Sequence, residues 1–486
     1  MSVISLSFLL FAAVSCTLYF LLPPKVRPYW LLLCSMVFYG SFDKRFFLWI
    51  GITAGTTFAA GLMMGTAQTR ERLGWRKAVL IGAVAINAGM LIFVKFFGYS
   101  VELFGRIFGL DTPAIMIPAA LGIAFYTMQA ISYCVDVYRG KYPPERNLCK
   151  YLLYMLFFPT IMQGPISRYD QLADQLFTPH RFSFDRMKSG LILTMWGFFK
   201  KLVIADRAAI LVNRVFGNYG EYEGFQITVA VLLYSIQLYT DFSGFTDISR
   251  GISQVLGIEL VSNFDTPYFA DSIRDFWRRW HLSLSSWLRD YIYIPLGGSR
   301  RGRLRKYINL MIVFFVSGLW HGVGVHYIVW GLLQGIFQIV GDRTEKTRYR
   351  VFDAWGVDRT CFSYRLGKRL VTFALVNVSW LIFRASGFLA ALHMLKRATI
   401  WNPWVFFDGS LLAMGLDGAE WNVLIAAVAV LLGVSLLHRK GSVREKLDKQ
   451  MFWFRYAVYL ALLLATTVFG VYGPGFDGAQ FLYMQF

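Results

Sequence analysis

Apolar residues in this chain fall in long runs, and the stretches between them are short and mostly basic. The clearest runs are 3–22, 78–97, 225–238 with its flanks, 307–319, 327–340, 370–383, 421–437 and 456–471. An α-helix needs about 20 apolar residues to cross a hydrocarbon core, and several of these runs reach that length. Further runs at 30–39, 46–64, 115–134, 151–161 and 189–204 are shorter or broken by Gly and Pro. They read as tilted spans, re-entrant segments or helices buried inside a bundle. The pattern predicts an all-α, multi-pass membrane protein with roughly eleven transmembrane helices. Residues 1–486 read as a single integral membrane domain.

Composition supports the bilayer over a soluble globule. Hydrophobic residues make up 56% of the chain and charged residues only 16%, against about 25% in a soluble domain. No hydrophilic stretch is long enough to form a second domain. The first run begins Met1-Ser-Val-Ile with no Lys or Arg, exceeds a usual signal-peptide core, and is followed at once by more spans. It reads as an uncleaved first span.

The net charge of +20 gathers at 70–77, 139–146, 300–306, 343–350 and 438–449. The plain explanation is the positive-inside rule, which puts these loops in the cytoplasm. The same charge suits an anionic substrate or membrane lipid. No nucleic acid is expected as a partner, because the basic residues sit at span edges and not in a soluble domain. The five cysteines (Cys16, Cys34, Cys134, Cys149, Cys361) are scattered and form no CxxC pair. They indicate no metal site and no disulfide framework.

Between about residues 118 and 330 the texture changes, and polar residues interrupt apolar sequence. Polar groups at membrane depth are costly, so chemistry is expected in this portion. Three of the six histidines lie there in such settings: His281, His321 and His326. His321 ends an apolar run and has Gly318, Gly322 and Gly324 around it. The small residues let a substrate or another backbone approach the imidazole. They equally suit close helix packing around a buried histidine. Imidazole is well matched to removing a proton from a hydroxyl near neutral pH.

Read as one helix, 274–291 has a polar stripe of Arg274, Arg278, His281, Ser285 and Arg289 beside an aromatic stripe of Trp277, Trp280, Leu284, Trp287 and Tyr291. Such a helix suits the membrane interface, although that does not explain the histidine among the arginines. Two further constellations are Gln163-Gly-Pro-Ile-Ser-Arg168, which reads as a broken helix, and Asp241-Phe-Ser-Gly-Phe-Thr-Asp247. The two carboxylates of the latter fall on different helix faces, so each is expected to pair with an Arg or Lys and to shape a cavity. No P-loop, HExxH or GxSxG motif is present.

Phe276-Trp-Arg-Arg-Trp-His281-Leu-Ser-Leu-Ser-Ser-Trp-Leu-Arg-Asp-Tyr-Ile-Tyr-Ile-Pro-Leu-Gly-Gly298, followed by Ser317-Gly-Leu-Trp320-His321-Gly, resembles the membrane-bound O-acyltransferase family, in its bacterial alginate O-acetyltransferase-like branch. The resemblance continues in Leu121-Gly-Ile-Ala-Phe-Tyr, Asp136-Val-Tyr-Arg-Gly, the Gln163 segment, Phe199-Lys-Lys-Leu-Val-Ile-Ala-Asp206 and the Asp241 segment. It implies a ring of membrane helices around a tunnel, with His321 and His281 as the catalytic positions. It also implies an acyl thioester donor from the cytoplasm, most simply acetyl-CoA, with no bound cofactor. The acyl group would leave on the outer side of a bacterial inner membrane for a polysaccharide acceptor. An extracytoplasmic partner of the SGNH type often completes that transfer.

On this reading Arg274, Arg278 and Arg289 hold the donor, while Trp320, Gln163 and Asp241 line the substrate path. The C-terminal Phe481-Leu-Tyr483-Met-Gln-Phe486 resembles a motif of envelope-acylating systems whose tyrosine is proposed as a transient acyl carrier. A plain aromatic membrane anchor explains it too. The alternatives are D-alanyl transfer to teichoic acid and, more distantly, a transporter. A transporter often shows two related halves, which this sequence lacks.

Overall fold

The computed structural model describes residues 1–65, 73–110 and 121–472. Among the described residues the regular structure is helical, apart from one isolated antiparallel bridge between Phe264 and Trp280. The helices are α1 (Leu6–Leu21), α2 (Arg27–Gly40), α3 (Phe46–Gly65), α4 (Leu73–Phe108), α5 (Ile123–Tyr138), α6 (Leu148–Leu156), α7 (Tyr169–Phe177) and α8 (Phe184–Phe198). There follow α9 (Asp206–Gly217), α10 (Phe225–Leu256), α11 (Ile273–Trp277), α12 (Leu282–Leu288), α13 (Gly302–His321), α14 (Val325–Ala354) and α15 (Phe362–Arg384). The last helices among the described residues are α16 (Phe388–Ala398), α17 (Gly418–His438), α18 (Val443–Asp448) and α19 (Phe452–Phe469). A π-helical turn, Phe199–Ala205, joins α8 to α9, and a second, Arg289–Tyr293, follows α12.

Among the described residues, five helices are long and apolar enough to cross a membrane: α3, most of α4, α15, α17 and α19. On α19, Leu460, Leu463, Leu464 and Val468 are all exposed, which is stable against lipid tails and not against water. The apolar stretches of α10, α13 and α14 are interrupted by polar side chains that turn inward, including Gln237, Asp241, Asn309, Ser317 and Gln334.

The chain forms two compact units, one from residues 1–194 with 246–261 and the other from 195–245 with 262–486. In the first, α6 stops at Leu156, just before Pro159, and residues 157–168 run on as irregular, fully buried backbone. Pro cannot continue a helix, and the residue before it avoids helical angles. The freed groups find partners: Phe158 N donates to Ser35 Oγ at 3.1 Å, and Tyr154 Oη donates to the Ser167 carbonyl at 3.0 Å. Irregular backbone at membrane depth is tolerated where protein covers it, and the broken helix expected around Gln163 is present.

The second unit is built on packed tryptophans. Trp277, Trp280, Trp330 and Trp380 are buried with Phe276, Phe314 and Phe383. Helices α13 and α14 approach closely through glycine. A Cβ on Gly318 would lie 2.5 Å from the Tyr327 carbonyl oxygen, and one on Gly331 would lie 2.3 Å from that of Phe314. Gly318 therefore serves backbone approach between helices.

The segment 273–293 departs from the sequence expectation. It is not one helix with two stripes but two short helices and a π turn. Backbone pairing with 263–265 pulls the chain out of the helix: Asp265 N donates to the Arg279 carbonyl and Leu282 N to the Asn263 carbonyl, both at 3.0 Å. Asn263 Oδ1 then accepts from Ser283 N at 3.1 Å and caps α12. His281 sits at the corner with φ +47°. Trp277, Trp280, Leu284 and Trp287 are buried, so these aromatics fill the core instead of lying at headgroup depth.

Candidate active site

His321 is the last residue of α13 and is 4% exposed. Trp330, from the second turn of α14, lies edge-to-face with its ring at 5.0 Å, and Phe383, near the end of α15, does so at 5.3 Å. The imidazole is thus held between aromatic rings from two other helices. His281 is 1% exposed, with Phe242 of α10 at 4.7 Å and Trp320 at 6.0 Å between ring centroids. Trp320 is also 4.8 Å from the His321 ring. The structure therefore brings the two histidines to one place, with the Trp320 indole in contact with both rings.

The same unit carries polar contacts at three points. Trp277 Nε1 donates to Gln334 Oε1 at 3.1 Å, and Gln334 Nε2 donates to Ser379 Oγ at 2.8 Å. This links α11, α14 and α15 inside the tryptophan cluster. Next to Phe242, Asp241 accepts from Lys201 Nζ at 2.6 Å, and the same Nζ lies 2.8 Å from Asp206 Oδ1. Lys200 Nζ donates to Ser243 Oγ at 2.9 Å. Both lysines lie on the π-helical turn after α8 and are buried; such turns are frequent at functional sites.

The third point is Asp342 on α14, past the apolar stretch 327–340. It accepts from Arg274 at 2.6 Å, Lys306 at 2.7 Å and Tyr307 at 2.9 Å. These donors, Lys306 foremost, hold its carboxyl well below the usual carboxylate range.

The remaining expected residues are placed as follows. Arg274 is engaged by Asp342, and Arg289 Nε donates to the neighbouring Asp290 at 2.8 Å. Arg274, Arg278 and Arg289 are exposed. Asp241 and Asp247 each have a cation beside them, Lys201 and Arg250. Gln163 belongs to the first unit and is 1% exposed, and neither atom of its carboxamide has a hydrogen-bond partner among the described residues. Tyr483 lies outside the described residues.

Residues that the sequence reading did not single out as site residues are Lys200, Lys201, Asp206, Phe242, Gln334 and Phe383. A Lys-Lys pair and a lone Gln inside apolar runs were the available signal. Phe242 and Phe383 are indistinguishable in sequence from ordinary core aromatics.

Residues 143–348 match the model of the membrane-bound O-acyltransferase family. The probable alginate O-acetylase AlgI of Pseudomonas syringae pv. tomato is 35% identical over 420 residues, covering 85% of this chain and 77% of that protein. The chain belongs to the membrane-bound O-acyltransferase family.

The peptidoglycan O-acetyltransferase of Helicobacter pylori is 32% identical over 403 residues, covering 77% of this chain and 74% of that protein. A teichoic acid D-alanyltransferase of Bacillus subtilis is 29% identical over 254 residues, covering 48% of this chain and 60% of that protein. The family match spans Gln163, the buried lysines, Asp241, His281, Trp320 and His321. The protein is accordingly a membrane acyltransferase, which sets aside the transporter reading.

Proposed function

We propose that this membrane-bound O-acyltransferase moves an acetyl group from a cytoplasmic thioester, acetyl-CoA, across the bacterial inner membrane for O-acetylation of an exported or cell-surface polysaccharide. The observation that carries the reading is the buried pair His281 and His321, joined through Trp320, in a chain whose AlgI and peptidoglycan relatives are named O-acetylating enzymes. On this proposal roughly eleven membrane helices form a ring around a tunnel, and the two histidines lie where its cytoplasmic and outer mouths meet.

His321 acts as general base and takes the proton of an acceptor hydroxyl. The oxygen attacks the thioester carbonyl, and the tetrahedral intermediate collapses with the C–S bond breaking. The imidazolium returns its proton to the leaving thiolate. Holding acceptor and donor in line supplies much of the rate. Tyr483 is the proposed first acceptor, so that its ester carries the acetyl group outward. An SGNH-type protein outside the membrane then moves it to a polysaccharide hydroxyl. The exposed Arg278 and the arginines at 300–305 meet the phosphates of the donor.

His321→Ala is expected to abolish polymer acetylation while the protein still accumulates in the membrane. Mass spectrometry of envelope polymers from cells with and without the variant reads this, and normal acetylation would overturn the proposal. Tyr483→Phe tests the carrier, since retained transfer refutes an ester at that oxygen. The Bacillus subtilis relative favours a second reading, D-alanyl transfer. The mass added to the polymer separates the two.

A further inference from the structure

In the first unit, α3 ends at Gly65, α4 begins at Leu73 and α5 ends at Tyr138. A cavity of about 280 Å³ opens among these ends, lined by Met64, Gly65, Arg76, Tyr138, Arg139 and Tyr142 among others. Two guanidinium groups line it, and none of the described residues around it is acidic. One NH2 of Arg76 donates to the Tyr138 carbonyl at 2.7 Å, and its plane lies over the Tyr138 ring at 5.4 Å. The hydrogen bond caps the C-terminus of α5 and fixes the group in place. Its Nε is buried and has no hydrogen-bond partner among the described residues.

Arg139 is 3.9 Å from Asp136, a carboxylate it shares with Lys141 at 3.6 Å, and its side chain stays 40% exposed. The neighbouring Glu145 is occupied by Tyr169 and by Lys150 at 3.6 Å. The cavity therefore presents two guanidinium groups at a basic edge of the helices. Leu73 and Trp75, at the start of α4 beside Arg76, are exposed and apolar, as suits contact with acyl chains and headgroups.

We infer that this cavity binds the phosphate of an anionic phospholipid headgroup, with Arg76 and Arg139 as its ligands. Basic pockets between membrane helices on the cytoplasmic side take such headgroups, and guanidinium matches phosphate geometry. The site is separate from the histidines, and its test does not depend on acyl transfer.

The test uses the purified full-length chain, delipidated in detergent and titrated with dioleoylphosphatidylglycerol or dioleoylphosphatidylcholine, with bound lipid counted by native mass spectrometry. Phosphatidylglycerol should be retained in preference to phosphatidylcholine. Arg139→Gln and Arg76→Gln/Arg139→Gln should each weaken its retention by about tenfold or more. Arg350→Gln, in the basic last turns of α14, should leave it unchanged.

Arg139→Gln leaves the Arg76 cap in place, so it stands as the test if the double variant fails to accumulate. Unchanged retention in Arg139→Gln would overturn the inference, as would an equal loss in Arg350→Gln. Displacement of the lipid by millimolar inorganic phosphate would show a site for soluble phosphate instead, and would overturn the lipid assignment.

Discussion

Replacing Lys201 with Met keeps the length of the side chain and removes one charge from the most enclosed ion cluster in the second unit. Lys201, Asp206 and Asp241 are 1%, 5% and 2% exposed. The Lys201 nitrogen is 2.6 Å from Asp241 and 2.8 Å from Asp206, so the two carboxylates share one cation. With the nitrogen gone, two negative charges about 5 Å apart repel by roughly 3 kcal/mol at an effective dielectric constant of 20. Removing one partner of a buried pair costs about 3–5 kcal/mol, which agrees in size.

Lys200→Met is the control. Its Nζ donates to the Ser243 hydroxyl at 2.9 Å, and the expected loss is smaller, about 1–2 kcal/mol. Lys201→Met/Asp241→Asn removes the repulsion and should recover about half or more of the loss. The assay is the temperature at which the detergent-purified protein loses its monodisperse peak on size exclusion. Stability should fall in the order wild type, Lys200→Met, Lys201→Met/Asp241→Asn, Lys201→Met. A Lys201→Met variant that melts with the wild type, or a double variant less stable than the single one, would refute the reasoning.

Gly331→Ala should destabilise by about 1–3 kcal/mol and lower acetylation, because the new Cβ meets the Phe314 carbonyl at 2.3 Å and forces α13 from α14; Gly341→Ala, with open space around it, should do neither. Asp342→Asn should cost about 1–2 kcal/mol, since its partners Arg274 and Lys306 keep partial solvent access. The folded carboxyl is held low, so its contribution is complete above the unfolded value of about 3.9 and is lost only as pH falls further. The melting difference between wild type and Asp342→Asn should accordingly stay constant from about pH 5 to 8 and shrink below about pH 4. His281→Gly should be more stable than His281→Ala by about 1 kcal/mol, because glycine adopts φ +47° without steric cost. Both variants should lose transfer, and equal melting of the two would argue against strain at this position.

Helices were the legible part of the chain, because a run of apolar residues such as 421–437 has few alternatives once lipid is the solvent. The place of His321 was also legible, since an apolar run that stops at a histidine flanked by glycines reads as a helix end. The 274–291 segment was not. Its periodicity fits a helix, and local pattern cannot report that Asn263, Phe264 and Asp265 will take its backbone groups. That pairing joins residues distant in sequence, and it outweighed the helical signal. The ion cluster was half visible: a partner for Asp241 was expected, but the choice of Lys201, and its sharing with Asp206, follow from the π turn. The extra residue of such a turn rotates the following side chains, which sequence spacing does not reveal.

The break in that segment changes where His281 lies. Had the helix been continuous, the imidazole would have stood in a row of solvent-facing arginines, as a ligand for the donor's charges. The corner at Arg278–His281 instead separates them. Arg274 and Arg278 stay exposed, while His281 is 1% exposed and packs against Phe242 and Trp320. A non-glycine residue in left-handed backbone costs about 1–2 kcal/mol, and such strain persists only where the surroundings over-determine it. Here they do so from three directions: the pairing with 263–265, the Trp277–Gln334 bond, and the burial of Trp280. The ring that this geometry positions shares the Trp320 indole with His321. The corner thus sorts one run of sequence into two settings: arginines at the surface, and a histidine buried beside Trp320 and His321.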